Sequence, residues 1–317
     1  MFPSLYPLGS QFFRPAKFCT INNNLGKAHQ QKNRLGYDVK VSKKTKEKSM
    51  RIAFSNPDLE RGENSVSYLA KKTGLSKTKI KEAMKKGAVW KSKDGKLKRL
   101  RRATSFLETG SAVSLFYDEK ILATKPAEPE SIHQAKTFSV WIKPAGIICG
   151  GTRFGDHCAI NRIVEKKINK SSFLVHRLDR FARGLLVIAH SKQSAQQLSL
   201  QFKRRTVIKR YQAIASGQVQ EARAIDHPID NREAITRITP LKIKDNMSLM
   251  SIEIETGRKH QIRKHLAQIG FPIVGDKKYG SGIGENLQLV SVFLEFISPE
   301  TKRRISFELP KQQHLML

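Results

Sequence analysis

Short apolar runs separated by polar connections recur along most of the chain and predict several buried strands. A strand is predicted at Phe138–Lys143, and two more at 173–175 and 185–189, because unbroken apolar runs of this length are typical of strands buried on both faces. The remaining strands are predicted at 207–215, at 249–255 and within 287–309. The C-terminal two thirds of the chain is therefore predicted to contain several strands.

Three helices are predicted among these strands, at 158–167, 193–205 and 256–270, because their apolar residues recur at helical spacing. In the last, Ile262, Leu266 and Ile269 face inward and Gly270 ends the helix. Strands outnumber helices and are not regularly interleaved with them. The expected class is therefore α+β with a mixed, largely antiparallel sheet.

A smaller unit is predicted before this sheet. Ser65 is placed to cap a first helix that Gly74 ends, and Ser76 to cap a second helix that Gly87 ends. Short strands at 88–90 and 112–117 follow the helices. The second helix carries lysines on its exposed face, which we expect to bind RNA: Lys77, Lys79, Lys85 and Lys86.

Two composition changes divide the chain. Residues 1–62 lack sustained periodicity and are rich in lysine, which predicts a disordered basic extension. The proline-rich segment 125–129 predicts a boundary between a unit at 63–124 and a larger domain at 125–317.

The charge balance indicates a polyanionic partner. The chain has 59 Lys and Arg against 27 Asp and Glu, a net charge of +32, which suits binding to a phosphate backbone. Three cysteines without Cys-x-x-Cys spacing favour a reducing compartment over a disulfide framework. No apolar run is long enough to span a membrane. We expect a cytoplasmic location, or an organellar one if the acid-free segment 1–37 is a transit peptide.

A polar segment between the predicted strands 173–175 and 185–189 is the first candidate site. Asp179 stands there among Arg177, Arg180 and Arg183. Fixed cations stabilise an ionised carboxylate, as a nucleophile or substrate-orienting base requires. An ordinary surface turn with structural ion pairs is the alternative.

Two further candidate groups lie downstream. Arg258, His260 and Arg263 fall near the start of the predicted helix 256–270, which suits phosphate or carboxylate binding. His260 and His265 are not four residues apart and no glutamate lies between them, so no metal site is expected. Tyr211, on a predicted strand, is either packed in the core or able to stack on a base and transfer a proton.

These motifs together resemble the RluA-type family of RNA pseudouridine synthases. The resemblance rests on His176-Arg-Leu-Asp-Arg with Gly184-Leu-Leu-Val, Lys209-x-Tyr-x-Ala, Thr256-Gly-Arg-x-His-Gln-Ile-Arg, Lys143-Pro-Ala-Gly and Pro272-Ile-Val-Gly-Asp. The segment Gly74-Leu-Ser-Lys with Gly87-Ala-Val similarly resembles the S4 RNA-binding domain. The fold implied is a pseudouridine synthase catalytic domain preceded by an S4-like domain.

The resemblance implies a role for each site residue. Asp179 is the implied catalytic aspartate, Arg263 its ion-pair partner and Tyr211 the residue that stacks on the uracil. Arg177 would replace the flipped nucleotide in the RNA. The other residues expected to bind RNA in this domain are Arg180, Arg183, Arg258 and His260. No metal and no cofactor are implied, and the expected protein is a monomer whose partner is RNA.

The resemblance leaves the substrate open. The leading expectation is ribosomal RNA of the large subunit, because S4 domains commonly accompany that choice, with transfer RNA as the runner-up. A non-catalytic RNA-binding or ribosome-assembly factor on the same fold is the alternative class. The chain departs from the family pattern at Ala182-Arg183, where two small hydroxyl residues are usual. We expect this difference to influence substrate preference.

Overall fold

The computed structural model describes residues 40–41, 51–56, 63–108, 110–280, 282 and 286–317. The helices are α1 (Ser65–Thr73), α2 (Lys77–Lys85), α3 (Glu119–Ala123), α4 (Ile160–Ile168), α5 (Lys192–Lys203) and α6 (Gln261–Gln268), with a 3₁₀ turn at Lys311–Gln313. The strands are β1 (Lys40–Val41), β2 (Arg51–Asn56), β3 (Val89–Lys93), β4 (Lys96–Arg99), β5 (Ala112–Asp118), β6 (Glu130–Gln134), β7 (Phe138–Lys143), β8 (Phe173–Leu174), β9 (Arg183–Ala189), β10 (Ile208–Ser216), β11 (Arg223–Ile225), β12 (Thr236–Lys244), β13 (Met247–Ile254), β14 (Leu289–Ile297) and β15 (Arg304–Glu308).

The N-terminal unit is a small antiparallel sheet with two short helices. Its strands lie in the order β1-β2-β5-β3-β4. Helix α2 buries Ile80, Ala83 and Met84, the face predicted from their spacing. Ser76 accepts a hydrogen bond from the N–H of Lys79 at 3.3 Å, which confirms the predicted cap. At α1 the cap is Asn64, one residue before the predicted Ser65.

Residues expected to form a disordered extension contribute a strand to this sheet. Strand β2 pairs antiparallel with β5 over six residues, and Ile52 is buried in the core of the unit. The prediction that residues 1–62 form a disordered extension is therefore wrong at β2. Pairing with the distant strand β5 fixes the conformation of a segment whose local sequence did not indicate a strand. Apart from 40–41 and 51–56, the predicted extension lies outside the described residues.

The larger sheet is mixed and mostly antiparallel, as expected for an α+β protein. Its order is β11-β12-β13-β10-β14-β9-β7-β6, with β15 also paired to β14 and β8 to β9. Along β9, Leu186 and Ile188 enter the core on one side of the sheet, and Leu185 and Val187 enter the core on the other. Burial on both faces explains the unbroken apolar run of this strand. In the described part of the chain, no helix is long and apolar enough to cross a membrane.

Elements with exposed faces were harder to predict. Strands β11 and β12 are absent from the sequence prediction because β11 is only three residues long and mostly exposed, and β12 contains Pro240 at a register shift. The predicted helix 256–270 is shortened to α6, because His260 adopts a left-handed backbone with φ 57° just before the helix.

An ion-pair cluster joins the two sheets. Asp156, in the loop before α4, contacts Arg99 at 3.2 Å and also pairs with Arg101 of the N-terminal unit. The backbone N–H of Asp156 donates to the carbonyl of Lys86 at 3.0 Å. The Asp156 carboxylate therefore fastens the N-terminal unit to the larger domain.

Gly184 permits the one parallel pairing of the larger sheet among the described strands. There, at the start of β9, it lies opposite Ser291 of β14. Gly184 has φ +106°, and a Cβ atom on it would lie 2.2 Å from the Ser291 carbonyl oxygen. Only glycine fits this close approach, which brings the end of the Asp179 loop against the centre of the sheet.

We predict that Gly184→Ala lowers the free energy of unfolding by at least about 2 kcal/mol, because the new methyl group must displace backbone and the left-handed φ is strained. Urea unfolding monitored by circular dichroism measures the change. Gly257→Ala is the matched control, since no atom lies within 4 Å of its added Cβ. Equal stability of the two variants would contradict the prediction.

Candidate active site

Asp179 lies in the turn between β8 and β9 and is paired with an arginine from far along the chain. Its Oδ2 atom is 3.2 Å from Nη1 of Arg263, on α6. The Asp179 side chain keeps 20% of its exposure and lines a cavity. The arrangement is that of a carboxylate held by a cation on one side and open to a substrate on the other.

Arg263 is itself held by a second, fully buried carboxylate. Its Nε and Nη2 atoms each donate to Asp276 at 2.7 Å, so the pair is bidentate. Burial alone would raise the pKa of Asp276, but Arg263 and the N–H groups of Lys278 and Tyr279 lower it below its ordinary value. The hydrogen bonds from Arg263 to Asp276 raise the pKa of the guanidinium. One arginine thus connects both carboxylates.

Two of the three arginines near Asp179 bind backbone carbonyls, and the third, Arg177, faces the cavity. Arg180 donates from Nε to the carbonyl of Gly146 at 2.9 Å, and Arg183 donates to the carbonyl of Gln313. Burial lowers the pKa of Arg183. Only Arg177 of the three lines the cavity, and its side chain is exposed there. Ala182 is buried in the core and Arg183 contacts the C-terminal segment, so the two residues that differ from the family pattern do not face the cavity as cations.

Lys143, at the end of β7, fixes the backbone behind Asp179. Its buried ammonium group donates to the carbonyls of Pro144 at 2.9 Å, Ile147 at 3.0 Å and Arg180 at 3.1 Å. Burial lowers the pKa of Lys143 to about 8, an effect that Asp179 opposes. The three bonds use every proton of the ammonium group, so Lys143 anchors the residue that follows Asp179.

Tyr211 reaches the same cavity from β10, where it pairs with Ser291 of β14 and Ile252 of β13. The residue is 6% exposed. Burial raises the pKa of its hydroxyl, and the negative charge of Asp179 raises it further. The hydroxyl therefore keeps its proton at neutral pH beside the carboxylate.

The loop before α6 places His260 next to Asp179. Its Nε2 atom is 3.7 Å from Oδ1 of Asp179, and Nδ1 is 2.9 Å from the Tyr279 hydroxyl. Burial lowers the pKa of His260, although Asp179 opposes the shift. His265, on α6, is buried, with its ring nitrogens 3.0 Å from the Thr236 hydroxyl and 2.9 Å from the His227 carbonyl. His265 is therefore structural.

The cavity has a volume of about 700 Å³ and a strongly cationic wall. Two carboxylates line it, Asp179 and Glu255. The cations that line it are Arg177, Lys203, Arg205, Lys209, Arg258, Lys259 and Arg263. His176 adds no charge, because burial lowers its pKa to about 3 and its Nε2 accepts the N–H of Val187. The excess of cations suits a polyanionic substrate.

The remaining residues expected to bind RNA, Arg258 and the lysines of helix α2, do not contact Asp179. Arg258 lines the cavity while its Nε donates to the Glu233 carbonyl at 2.9 Å. Lys79 of α2 pairs with Glu119 at 3.1 Å, and Lys86, the residue that follows α2, pairs with Glu82. The other lysines of this helix are exposed and spaced by four residues: Lys77, Lys81 and Lys85.

The structure brings together Asp179, Tyr211, Arg263 and His260, all of which the sequence singled out. It adds Asp276 and Lys143, which stood in recognised motifs but were not assigned a function. A lone acidic residue after the apolar run 271–275 was the available signal for Asp276. The described residues contain no cluster of three or more His, Cys, Asp or Glu side chains able to hold a metal ion.

We predict that Asp276→Asn lowers the free energy of unfolding at neutral pH by about 3–5 kcal/mol, because it leaves Arg263 buried without a full counter-charge. Chemical unfolding at several pH values measures the loss.

The pH dependence of that loss has a definite sign. The pKa of Asp276 in the folded protein lies below its ordinary value of 3.8, so ionisation stabilises the fold above that value. The stabilisation is lost as the pH falls through the folded pKa. The difference between wild type and Asp276→Asn should therefore shrink below pH 3.8. A constant difference across that range would contradict the assignment.

Comparison with known proteins places this site in a family. A family model described as RNA pseudouridylate synthase matches residues 137–268. The protein of Vibrio parahaemolyticus named tRNA pseudouridine synthase C is 31% identical over 186 residues, which cover 50% of this chain and 76% of that protein. An uncharacterized RNA pseudouridine synthase of Chloroflexus aurantiacus is 36% identical over 162 residues. That match covers 45% of this chain, which spans 51% of the Chloroflexus protein.

A solved structure supports the fold. Human RNA Pseudouridylate Synthase Domain Containing 1 matches with a TM-score of 0.51 and 22% identity, over 59% of this chain and 86% of the human one. The family match includes Asp179, Tyr211 and Arg263, and the Vibrio relative exceeds 30% identity over three quarters of its length. The resemblance of the motifs between residues 143 and 276 is confirmed, whereas the resemblance of the N-terminal unit to an S4 domain stays a prediction. The chain belongs to the RNA pseudouridylate synthase family.

Proposed function

We propose that this protein isomerises uridine to pseudouridine in a structured RNA, with Asp179 as the catalytic residue. The observation that carries the proposal is the Asp179–Arg263 ion pair at 3.2 Å, in a cavity that Tyr211 also lines. A pure RNA-binding protein needs the basic wall but has no use for an open carboxylate in it. The pair therefore favours the enzyme over the non-catalytic alternative.

The reaction needs a carboxylate that is ionised and accessible. The target uridine leaves the RNA stack and enters the cavity, where Asp179 acts on its ribose. Asp179 either attacks C1′ or supports loss of a C2′ proton in a glycal route. The C1′–N1 bond breaks, the freed uracil rotates and a C1′–C5 bond forms. C5 loses its proton and N1 gains one, so the reaction requires no net oxidant or donor.

The remaining site residues are assigned to positioning and RNA contact. Tyr211 stacks on the uracil, and its protonated hydroxyl, on a residue that lines the same cavity as Asp179, takes part in proton movement. Arg177 is exposed at the cavity and fills the space that the flipped nucleotide leaves. Arg258 and His260 contact the RNA at the cavity wall. Arg180 and Arg183 are engaged by backbone carbonyls, so we assign them to the loop itself.

For the substrate we favour ribosomal RNA of the large subunit. The support is the N-terminal unit, whose helix α2 exposes lysines and whose pattern resembles an S4 domain. Transfer RNA is the second candidate, favoured by the Vibrio relatives named tRNA pseudouridine synthase C. In either case the protein acts on RNA inside the cell, and we expect a cytoplasmic location.

We predict that Asp179→Asn abolishes pseudouridine formation while RNA binding persists, because the amide keeps the shape of the carboxylate but not its charge. The measurement is carbodiimide-blocked primer extension across ribosomal and transfer RNA. The RNA comes from a strain in which the gene is deleted, complemented with the wild-type gene, with the Asp179→Asn gene or with an empty vector. A wild-type-dependent stop identifies the modified uridine. Restoration of that stop by Asp179→Asn would refute the catalytic assignment.

We predict that replacing Lys77, Lys81 and Lys85 together by alanine weakens RNA binding and its salt dependence. Losing three phosphate contacts should reduce the slope of log Kd against log salt by roughly 2 to 3. Fluorescence anisotropy with a structured ribosomal RNA fragment measures the slope. The control is the triple lysine-to-arginine variant, which keeps the charges and should keep the slope. An unchanged slope in the alanine variant would remove the N-terminal unit from the RNA-binding surface.

A further inference from the structure

Lys209 is a buried cation that has no ion-pair partner in the described part of the chain. It is 7% exposed and lines the cavity from strand β10. Burial lowers the pKa of its ammonium group, and Arg205 nearby lowers it further. A buried charge without a partner is costly, so its persistence calls for a compensating interaction.

The carboxylates around Lys209 are engaged by other cations. Glu255, which lines the same cavity, pairs with Arg237 at 2.8 Å. Glu253, on the neighbouring strand β13, pairs with Arg210 at 3.4 Å. Asp179 pairs with Arg263, as described above. The ammonium group of Lys209 is therefore left for a ligand that enters the cavity.

The position of Lys209 relative to Tyr211 indicates what that ligand is. The two residues alternate with the exposed Arg210, so both side chains lie on the cavity face of β10. Residues two apart on a strand are separated by about 6.6–6.8 Å. A nucleotide whose base stacks on Tyr211 carries its phosphates on the adjoining ribose, within reach of a cation at this spacing.

We propose that Lys209 binds a backbone phosphodiester adjoining the flipped uridine. The proposal rests on the proposed function, because it takes Tyr211 as the platform for the uracil. The phosphate supplies the counter-charge that the protein lacks and fixes the nucleotide along the strand. Phe202 and the uncharged ring of His176, stacked at 4.4 Å, line this part of the cavity, and the neighbouring Arg205 is paired with Glu233 at 2.6 Å.

The experiment compares Lys209→Met with wild type in binding to a twelve-nucleotide oligouridylate across a salt series. We expect affinity at low salt to fall at least about tenfold and the slope of log Kd against log salt to decrease by about 0.7. Lys209→Arg should retain the slope. Arg210→Met is the matched control, because it removes a charge from the opposite face of the same strand and should not change the slope.

A thermal melt of the same variants separates binding from folding. Removing an unpaired buried charge should raise the melting temperature of Lys209→Met even as binding weakens. If the methionine variant does not fold, Lys209→Gln replaces it in the salt series. An unchanged slope in the folded methionine or glutamine variant, or a slope that Lys209→Arg fails to retain, overturns the proposal.

The two proposals fail separately. Binding is measured without turnover. If the wild type forms no pseudouridine but Lys209→Met still shows the reduced salt slope, only the proposed function is refuted. An active wild type whose oligouridylate binding is insensitive to Lys209→Met would refute only the phosphate site.

Discussion

The buried guanidinium of Arg263 is the interaction on which the site depends. It is fixed by two 2.7 Å hydrogen bonds to Asp276 and, so fixed, presents its remaining nitrogen to Asp179. A cation this deep is tolerable only because a fully buried carboxylate neutralises it. Asp276 thus supplies the counter-charge that the buried Arg263 requires and leaves Asp179 accessible to a substrate. Without that second carboxylate, Asp179 would be the sole counter-charge of a buried arginine.

A second set of constraints holds the Asp179 loop from behind. Lys143 binds the Arg180 carbonyl, and Gly146 exchanges hydrogen bonds with Arg180 through its N–H and its carbonyl. Gly184 locks the far end of the loop against β14. These contacts use backbone atoms, so the loop is fixed largely without its own side chains. Arg177 is therefore free to face the cavity.

The same contacts change the significance of the Ala182-Arg183 difference. Ala182 packs in the core, and Arg183 binds the Gln313 carbonyl in the C-terminal segment. Neither residue presents a cation to the cavity. Any influence on substrate preference would act through the position of the loop, since neither Ala182 nor Arg183 supplies a cation to the basic wall. The Asp156 cluster similarly sets where the N-terminal lysines lie relative to that wall.

The sequence by itself determined the buried strands, the helix faces and the identity of the central residues. Strand β9 and helix α2 were predictable because burial on both faces, or on one face, leaves a direct pattern in apolar spacing. Asp179, Tyr211 and Arg263 were identifiable because their motifs are local. Strands β11 and β12 were not, since β11 is short and mostly exposed, Pro240 interrupts β12, and distant pairing decides the conformation of both.

Only the tertiary structure decided which charges meet. The neighbouring sequence placed three arginines beside Asp179, and only the family resemblance implied a partner 84 residues away; the contact with Arg263 forms because two elements distant in the chain pack against each other. The tertiary structure also decided that Asp276 holds Arg263, that His176 is neutral and that Lys209 has no ion-pair partner among the described side chains. Charge pairing and burial depend on distances between residues far apart in the chain, and no local pattern records those distances.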